Sequence, residues 1–273
     1  MRQFLILLGC LLAGYVQADS LNFARIDNTD GLSNNQVECI FKDSRGFIWF
    51  GTNYGLNRYD GYRMETFVSQ KNDTNSLLYN AVPDILEDYK GNLWLGGNPF
   101  YYVFDVRAER FHQDITNIMA EMGFDFIPTL VDIDKHGDYY FYNPEDGIHS
   151  YKVKDGRRLH YKQSADLNNL SPGTISHFKA VDGFIWVLFE SGLLERFNEK
   201  TGTVDFRNHY LKDHYEASII VKHLFIDKQG CPWVYPGIKY DGVLQYDCVR
   251  AGWVCFGTRQ ESLPYIPFHP LSS

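Results

Sequence analysis

The chain lacks any excess of positive charge. Its 273 residues contain 26 Lys and Arg against 34 Asp and Glu, which gives a formal net charge of −8. Proteins that bind nucleic acid or an anionic membrane surface carry clustered cations. We therefore expect no nucleic-acid partner.

Motifs that build catalytic or metal sites are also missing. The sequence has no G-x-S-x-G, H-E-x-x-H or C-x-x-C motif and no Walker loop. His209 and His214 lie five residues apart in a polar stretch typical of a solvated loop, and the alternate acids of 132–138 fit a turn better than a calcium loop. We predict no catalytic residue, no metal site and no cofactor.

Long hydrophobic runs are confined to the N-terminus. An apolar run from Phe4 to Val16 follows Arg2 and ends in small residues before Asp19. The run is too short to span a bilayer comfortably and is typical of a signal peptide. We predict a signal peptide over residues 1–18 and a periplasmic mature chain, with a lipoprotein box at 7–10 as the alternative.

Cysteines are few, and export would permit them to form disulfides. Without Cys10 four remain, and four cysteines allow three pairings. A hairpin about Ala251 and Gly252 would bring Cys248 opposite Cys255, so a disulfide between these two is one candidate.

The sequence does contain a repeat. A glycine precedes an aromatic ring by three residues at five places, and successive glycines are 45, 46, 46 and 47 residues apart. We interpret these residues as structural, with the glycine in a turn and the ring in the core. The five pairs are Gly46 and Trp49, Gly91 and Trp94, Gly137 and Tyr140, Gly183 and Trp186, and Gly230 and Trp233.

Each repeat has the pattern of four short strands. Apolar residues alternate with period two, aromatic residues make up 16% of the chain, and an Asp-x-x-Gly turn follows the first strand in most units. Only 115–123 suggests a short helix. A four-stranded antiparallel unit repeated every 40 to 50 residues predicts an all-β fold, a β-propeller. The units are 31–67, 75–111, 122–161, 169–206 and 217–256.

Residues 257–273 have the pattern of a further blade that begins and does not finish. We therefore expect a sensor-type propeller domain over 19–273 with about five blades, as an incomplete propeller in a piece of a longer protein.

The first unit, "GLSNNQVECIFKDSRGFIWFGTNYGLNRYDGYRMETF", closely resembles the repeat of the two-component regulator propeller family. The resemblance implies a periplasmic sensor region of a hybrid two-component histidine kinase, which detects oligosaccharides and regulates the genes for their use. Full-length relatives would be anchored in the inner membrane and carry a kinase core. This chain has no kinase core, so we expect a noncatalytic module whose partners are an oligosaccharide or other small ligand and a second copy or the rest of a sensor kinase.

The loop after the ring-bearing strand is the predicted ligand site, because it varies among units and carries rings, amides and acids suited to sugars. An alternative is a propeller lyase or hydrolase with its site at the central channel. The predicted ligand-binding residues are Asn53, Tyr54, Asn98, Tyr101, Asn143, Glu190, Tyr235 and Lys239.

Overall fold

The computed structural model describes residues 25–97, 99–214, 223–235, 242–256 and 266–267. Within these residues the chain forms 21 β-strands and two short α-helices, and the strands make five antiparallel sheets. Each sheet takes up consecutive strands in chain order. The fold is a β-propeller of five blades, which confirms the predicted fold class.

Blades 1 and 2 are four-stranded. Blade 1 consists of β1 (Val37–Lys42), β2 (Ile48–Thr52), β3 (Gly55–Tyr59) and β4 (Met64–Phe67). Blade 2 consists of β5 (Ile85–Glu87), β6 (Leu93–Leu95), β7 (Tyr102–Asp105) and β8 (Arg110–His112).

Blades 3 and 4 have the same order. Blade 3 consists of β9 (Leu130–Ile133), β10 (Tyr139–Asn143), β11 (Gly147–Tyr151) and β12 (Arg158–Lys162). Blade 4 consists of β13 (Ile175–Val181), β14 (Phe184–Phe189), β15 (Leu194–Asn198) and β16 (Thr203–Asn208).

Blade 5 has a fifth strand at its outer edge. It consists of β17 (His223–Ile226), β18 (Pro232–Tyr235), β19 (Val243–Asp247), β20 (Gly252–Phe256) and β21 (Ile266–Pro267). The pairing of β21 with β20 places these two residues in blade 5. The other residues of the predicted further blade, 257–265 and 268–273, lie outside the described part of the chain.

Two short helices connect blades. Helix α1 (Thr116–Glu121) joins blades 2 and 3, which confirms the helix predicted at 115–123. Met119 on this helix is buried beside blade 3, in the same cluster as Phe141. Helix α2 (Tyr210–His214) follows blade 4. Neither helix has the length and apolar character needed to cross a membrane, and the predicted signal peptide at 1–18 lies outside the described residues.

The first strand of every blade is innermost, since β1, β5, β9, β13 and β17 lie side by side in that order. Because the strands alternate in direction, the start of each innermost strand lies at the same end as the connection between the second and third strands. We call this end the upper rim. The turns between the first and second strands lie at the opposite end, the lower rim.

Aspartate and glycine form the lower-rim turns. The Asp43 carboxylate accepts hydrogen bonds from the backbone N–H groups of Arg45 (3.0 Å) and Phe47 (2.9 Å). Gly46 has φ +97°, a conformation that favours glycine because it has no Cβ. Asp88, Asp134 and Asp227 make the same pair of bonds.

Blade 4 departs from this pattern. Ala180 stands where the other blades have aspartate, and a two-residue turn of Asp182 and Gly183 connects β13 to β14. Both residues have positive φ, +53° and +80°. Positive φ at both central residues is the requirement of a type I′ hairpin turn.

Among the described residues the core consists of four clusters, one between each pair of consecutive blades. Between blades 1 and 2, for example, the Trp49 ring meets Phe104 edge-on at 6.0 Å and stacks on Phe67 at 6.1 Å. Four rings of the repeat are at most 2% exposed, so they contribute large buried apolar area to blade packing. These rings are those of Trp49, Trp94, Tyr140 and Trp186, while Trp233 is partly exposed.

An Asp-Gly pair is typical of a type I′ hairpin turn, but Asp60 and Gly61, between β3 and β4, form a different turn. Asp60 N–H donates to the carbonyl of Arg63 at 3.3 Å, so the central residues are Gly61 and Tyr62. Only Gly61 among them has positive φ, at +100°. The Asp60 carboxylate accepts from the N–H groups of Tyr62 and Arg63 and closes the turn from outside it.

The structure does not bring Cys248 opposite Cys255, as the candidate disulfide between them requires. Asp247 pairs with Gly252, so Cys248 lies in the turn, whereas Cys255 pairs with Leu244 further along the ladder. The four cysteines of the described residues are all free thiols.

Candidate functional site

Five equivalent positions surround the upper end of the central channel. Each position lies on or just before an innermost strand. It comes two residues before the residue of that strand that pairs, across the ladder, with the repeated aromatic residue of the second strand. His177, for example, comes two residues before Lys179, and Lys179 pairs with Trp186. Strand side chains two residues apart share a face, so this column lies on one side of each innermost strand. The residues are Cys39, Asp84, Leu130, His177 and His223.

A cavity of about 170 Å³ opens beside this column. Blades 2, 3, 4 and 5 all contribute to its lining, which makes it a feature of the channel rather than of one blade. Gly96 allows close approach at its wall, because a Cβ there would lie 2.9 Å from the Cβ of Asp84. The lining includes Asp84, Tyr101, Leu130, Ser176, His177 and His223.

Tyr101 and Asp84 form a hydrogen-bonded pair in the wall. The Tyr101 hydroxyl donates to Asp84 Oδ2 at 2.7 Å, and Asp84 Oδ1 accepts the N–H of Ile85 at 3.0 Å. Burial, followed by the negative charge of Asp84, raises the pKa of Tyr101 well above its usual value. Tyr101 is therefore a fixed donor at neutral pH, and the remaining lone pairs of Asp84 can accept from a ligand.

The rings of His177 and His223 lie next to each other in the lining of the same cavity. Their centroids lie 6.1 Å apart with 60° between the planes. Burial, then the charge of Lys179 and the proximity of His223, lower the pKa of His177 to about 3, so His177 is neutral at physiological pH. Its Nδ1 atom is buried and has no hydrogen-bond partner in the described structure, which leaves one polar position unfilled.

An ion pair lies two residues further along β9 and β13. Asp132 Oδ1 and Lys179 Nζ are 2.7 Å apart, and Asp132 Oδ2 accepts the N–H of Ala180 at 2.7 Å. Burial raises the pKa of Asp132, and the charge of Lys179 offsets part of this rise. Burial opposes the charge of Lys179 as well, but Asp132 and Asp84 outweigh it and raise the pKa of Lys179.

A second cavity, of about 180 Å³, lies at the lower rim between blades 2 and 3 beside α1. The buried carboxylate in its lining, Asp88, already accepts four hydrogen bonds, from Lys90, Trp94 and twice from Asn92. We therefore take the upper cavity, which has unfilled hydrogen-bonding capacity, as the candidate site.

Of the predicted ligand-binding residues, Tyr101 lines the cavity. Tyr54 and Asn53 are exposed in the connection between β2 and β3, and Glu190 is exposed after β14, where its N–H donates to the Thr174 carbonyl. All of these lie on the upper rim.

Asn143 and Tyr235 also lie on the upper rim. Asn143 closes the turn before Gly147, with which it pairs, and Tyr235 ends β18 with 37% of its surface exposed. Asn98 and Lys239 lie outside the described residues.

Sequence reasoning missed Asp84, His177 and His223. These residues lie nine or ten positions before the repeated ring of their blade, so a column was present in the repeat. The column was hard to recognise because its residues differ in type, from thiol to carboxylate to imidazole.

The fold and this channel-mouth site define a β-propeller that presents polar groups on one rim. The sequence model of the two component regulator propeller family matches residues 31–54 and 76–98, which lie in and just before the first two blades.

One curated protein is similar to part of the sequence, and two solved structures share the fold. The chain is 34% identical over 76 residues to "Histidine kinase P4" of Formosa agariphila, a match that covers 27% of this chain and 6% of that protein. The extracellular domain of a hybrid two component system from B. thetaiotaomicron has a TM-score of 0.59 at 21% identity, covering 84% of this chain and 31% of that one.

The extracellular domain of a one component system from the same bacterium has a TM-score of 0.57 at 20% identity, covering 86% and 33% of the two chains. At such identities these two structures establish a shared fold. This chain thus spans at most about a third of these relatives.

Proposed function

We propose that this chain is a noncatalytic sensor propeller that binds a small carbohydrate at its channel mouth. The observation that carries the proposal is the upper cavity, where Asp84 offers acceptor capacity and the buried Nδ1 of His177 lacks a partner. A ligand hydroxyl can both donate and accept a hydrogen bond, so it suits this mixture of groups.

Exposed aromatic side chains on the same rim support a sugar ligand. Tyr54 is 56% exposed and Phe100 is 41% exposed, each in the connection between the second and third strands of its blade. Such rings offer flat apolar faces next to polar groups, as binding sites for small molecules commonly do.

The size of the cavity limits what enters it. Its volume of about 170 Å³ is below the ~300–1,000 Å³ typical of pockets that enclose a drug-sized ligand. We infer that one end of an oligosaccharide enters the channel mouth while the rest lies across the upper-rim loops near Tyr54 and Phe100.

The similar proteins support a role in signalling across a membrane. Two of them are extracellular domains of a hybrid two component and a one component system, and a third is a histidine kinase. We propose that this propeller acts in the periplasm after export, and that a kinase region supplied by a longer protein or a partner, or a second copy of the propeller, receives the signal.

Isothermal titration calorimetry of the purified chain against a panel of oligosaccharides tests the proposal. We expect one sugar class to bind, and we expect His177→Gln to weaken that binding at least about tenfold, since a lost hydrogen bond in a buried site costs about 1.4 kcal/mol or more. His136→Gln is the matched control, because His136 is exposed in a lower-rim turn. Equal binding by wild type and His177→Gln would contradict the placement of the site.

The grouping of a carboxylate and two histidines at one rim keeps a second function in view, a propeller lyase or hydrolase. Asp84, His177 and His223 are groups that can transfer protons. Chromatography of each sugar after incubation with the chain distinguishes the two functions. Unchanged sugar that still binds supports the sensor, whereas cleavage that is lost in His177→Gln supports the enzyme.

A further inference from the structure

Three side chains of blade 3 converge at a point that the channel-mouth site does not include. Asp146 lies in the upper-rim turn between β10 and β11. His149 and His160 lie on β11 and β12 and are direct cross-strand partners. Direct partners in an antiparallel pair have Cβ atoms about 4.5–5.5 Å apart, so both imidazoles extend from the same face of the blade.

The carboxylate of Asp146 lies close to one ring nitrogen of each histidine. Asp146 Oδ2 lies 3.1 Å from His149 Nε2, and Asp146 Oδ1 lies 3.2 Å from His160 Nε2. The two rings stack with centroids 4.3 Å apart and 5° between their planes. All three ligand atoms lie within 4.8 Å of one another.

His149 is held in place by aromatic neighbours. The rings of Phe124 and Phe126 pack on it with centroid distances of 5.9 and 5.0 Å, and only 13% of its side chain is exposed. Packing of this kind fixes the ring orientation, as a preorganised site requires.

The hydrogen bonding of the two histidines is unequal. His160 Nε2 lies 2.9 Å from the backbone carbonyl of Asp146 and is satisfied there. His149 Nε2 is buried and makes no well-directed hydrogen bond, and the nearest polar group is the Asp146 carboxylate at 3.1 Å. A buried nitrogen without a well-directed partner is unfavourable, because no hydrogen bond compensates for the water that it has lost.

The neutral imidazole of His149 can present the lone pair of Nε2 toward the Asp146 carboxylate. A cation between these two groups would bind both.

We propose that Asp146, His149 and His160 bind a divalent transition-metal ion, and specifically Zn²⁺. Two imidazoles and one carboxylate are a donor set that zinc accepts, whereas magnesium and calcium prefer oxygen ligands. With metal–ligand bonds of about 2.1 Å, tetrahedral coordination places ligand atoms about 3.4 Å apart. The carboxylate-to-imidazole distances of 3.1 and 3.2 Å are close to that value.

Three protein ligands leave the fourth position of a tetrahedral zinc ion open. Because Asp146 lies in an upper-rim turn and is exposed, this position would face solvent at the rim. His160 would exchange its hydrogen bond with the Asp146 carbonyl for the metal, with its proton on Nδ1. The bound ion would also link β11 to β12 and stabilise the outer half of blade 3.

Equilibrium dialysis of the full chain against Zn²⁺, with the bound metal measured by mass spectrometry, tests the proposal. We expect one tightly bound zinc ion per chain and no comparable binding of Mg²⁺ or Ca²⁺. Asp146→Asn and His160→Gln change exposed side chains, so both variants should fold. Because loss even of outer-shell partners weakens metal binding by about 10–100-fold, each should weaken zinc binding by at least about 100-fold.

His209→Gln is the matched control, since His209 is exposed and distant in sequence from the cluster. Substitution of Co²⁺ adds a spectroscopic readout, because tetrahedral Co²⁺ absorbs visible light strongly, and this absorption should disappear in His160→Gln. Zinc binding that is equal in wild type, Asp146→Asn and His160→Gln would overturn the proposal, as would binding that His209→Gln alone removes.

Discussion

The indole N–H of Trp49 donates a 2.9 Å hydrogen bond to the carboxylate of Asp43, six residues earlier. The same carboxylate accepts the two backbone N–H groups that close the lower-rim turn. One buried aspartate therefore fixes both the turn and the ring that packs between blades. The relationship recurs between Trp94 and Asp88 at 3.4 Å, and between Trp233 and Asp227 at 2.8 Å.

We predict that Asp43→Ala destabilises the chain by about 3 kcal/mol, because it leaves a buried indole N–H and two turn N–H groups without a charged acceptor. Asp43 is only 4% exposed, so water cannot replace the carboxylate. Urea unfolding followed by tryptophan fluorescence measures the change. Asp60→Ala, which removes a fully exposed turn aspartate, is the control and should have a clearly smaller effect. Equal midpoints for the two variants would contradict this account of the repeat.

Gly51 provides a second prediction, at the contact of blade 1 with the chain that leads into blade 2. A Cβ at this position would lie 2.2 Å from the carbonyl oxygen of Val82 and 2.5 Å from Cys39 Sγ. Because a backbone atom must then move, we expect Gly51→Ala to cost about 3 kcal/mol or more.

Gly61→Ala is the control for Gly51→Ala. Its added Cβ would meet nothing within 4 Å, and only the strain of φ +100° remains, which costs about 1 kcal/mol. Thermal unfolding of the two variants should rank Gly51→Ala well below Gly61→Ala; the reverse order would show that this contact adapts.

Acid should destabilise the fold through His177. The pKa of His177 is about 3 in the folded chain, below the usual 6.5, so between these values the unfolded chain binds the extra proton. The contribution of the neutral His177 ring to the free energy of unfolding is therefore fully present above about pH 6.5, and it is lost as the pH decreases toward 3. We expect the melting temperature to drop between pH 7 and pH 4.5, and to drop less in His177→Gln. The melting temperature of the variant should still depend on pH to some extent, because the pKa of His149 is lowered as well. Parallel curves would exclude the assigned role of His177.

The fold was predictable because the sequence pattern of one blade recurs five times. A glycine in a positive-φ turn and a large ring recur in phase, and each has one physical role, so agreement among units identified four-stranded blades. The exception is instructive, since blade 4 replaces the aspartate turn with Asp182 and Gly183 and keeps its ring in place. The details of the turns were less predictable. The Asp60 carboxylate closes the turn between β3 and β4 by accepting hydrogen bonds from two backbone N–H groups, and the Asp-Gly sequence alone does not reveal these bonds.

The sequence predicted on which rim the candidate site lies, but it did not identify most of the residues that line the cavity. Tyr101 was among the predicted residues and lines the cavity. The other polar residues that line the cavity come from the innermost strands of different blades. His177 and His223 are 46 residues apart, and only the ring of blades brings them within 6.1 Å. The Asp146 cluster was missed for a related reason, because His149 and His160 become neighbours through the register of β11 with β12.

Oxidation should leave Cys248 and Cys255 unlinked. Cys255 pairs with Leu244, while the thiol of Cys248 lies beside Cys231; burial and then that neighbour raise the pKa of Cys248 to about 12. We expect oxidised glutathione to join Cys231 to Cys248 in preference to any other pair. Trypsin separates the three cysteines into peptides 229–239, 240–250 and 251–259, so mass spectrometry identifies the link directly. A linked pair of 240–250 with 251–259 would restore the pairing that the sequence suggested.

The ion pair between Asp132 and Lys179 gives a prediction about the channel wall. The equivalent positions in other blades hold apolar side chains, including Phe41, Leu86 and Phe225. Removal of one partner from a buried pair leaves an uncompensated charge and costs about 3–5 kcal/mol, whereas replacement of both by apolar residues is often neutral. Lys179 retains 28% exposure of its side chain, so the cost should lie at the lower end of that range.

We therefore expect Lys179→Met to lower the free energy of unfolding by about 3 kcal/mol, and the double variant Asp132→Leu with Lys179→Met to recover most of the loss. Urea unfolding of the wild type, both single variants and the double variant measures this coupling. Strictly additive losses would mean that the two side chains act independently and that the apolar positions of the other blades are no guide to this one.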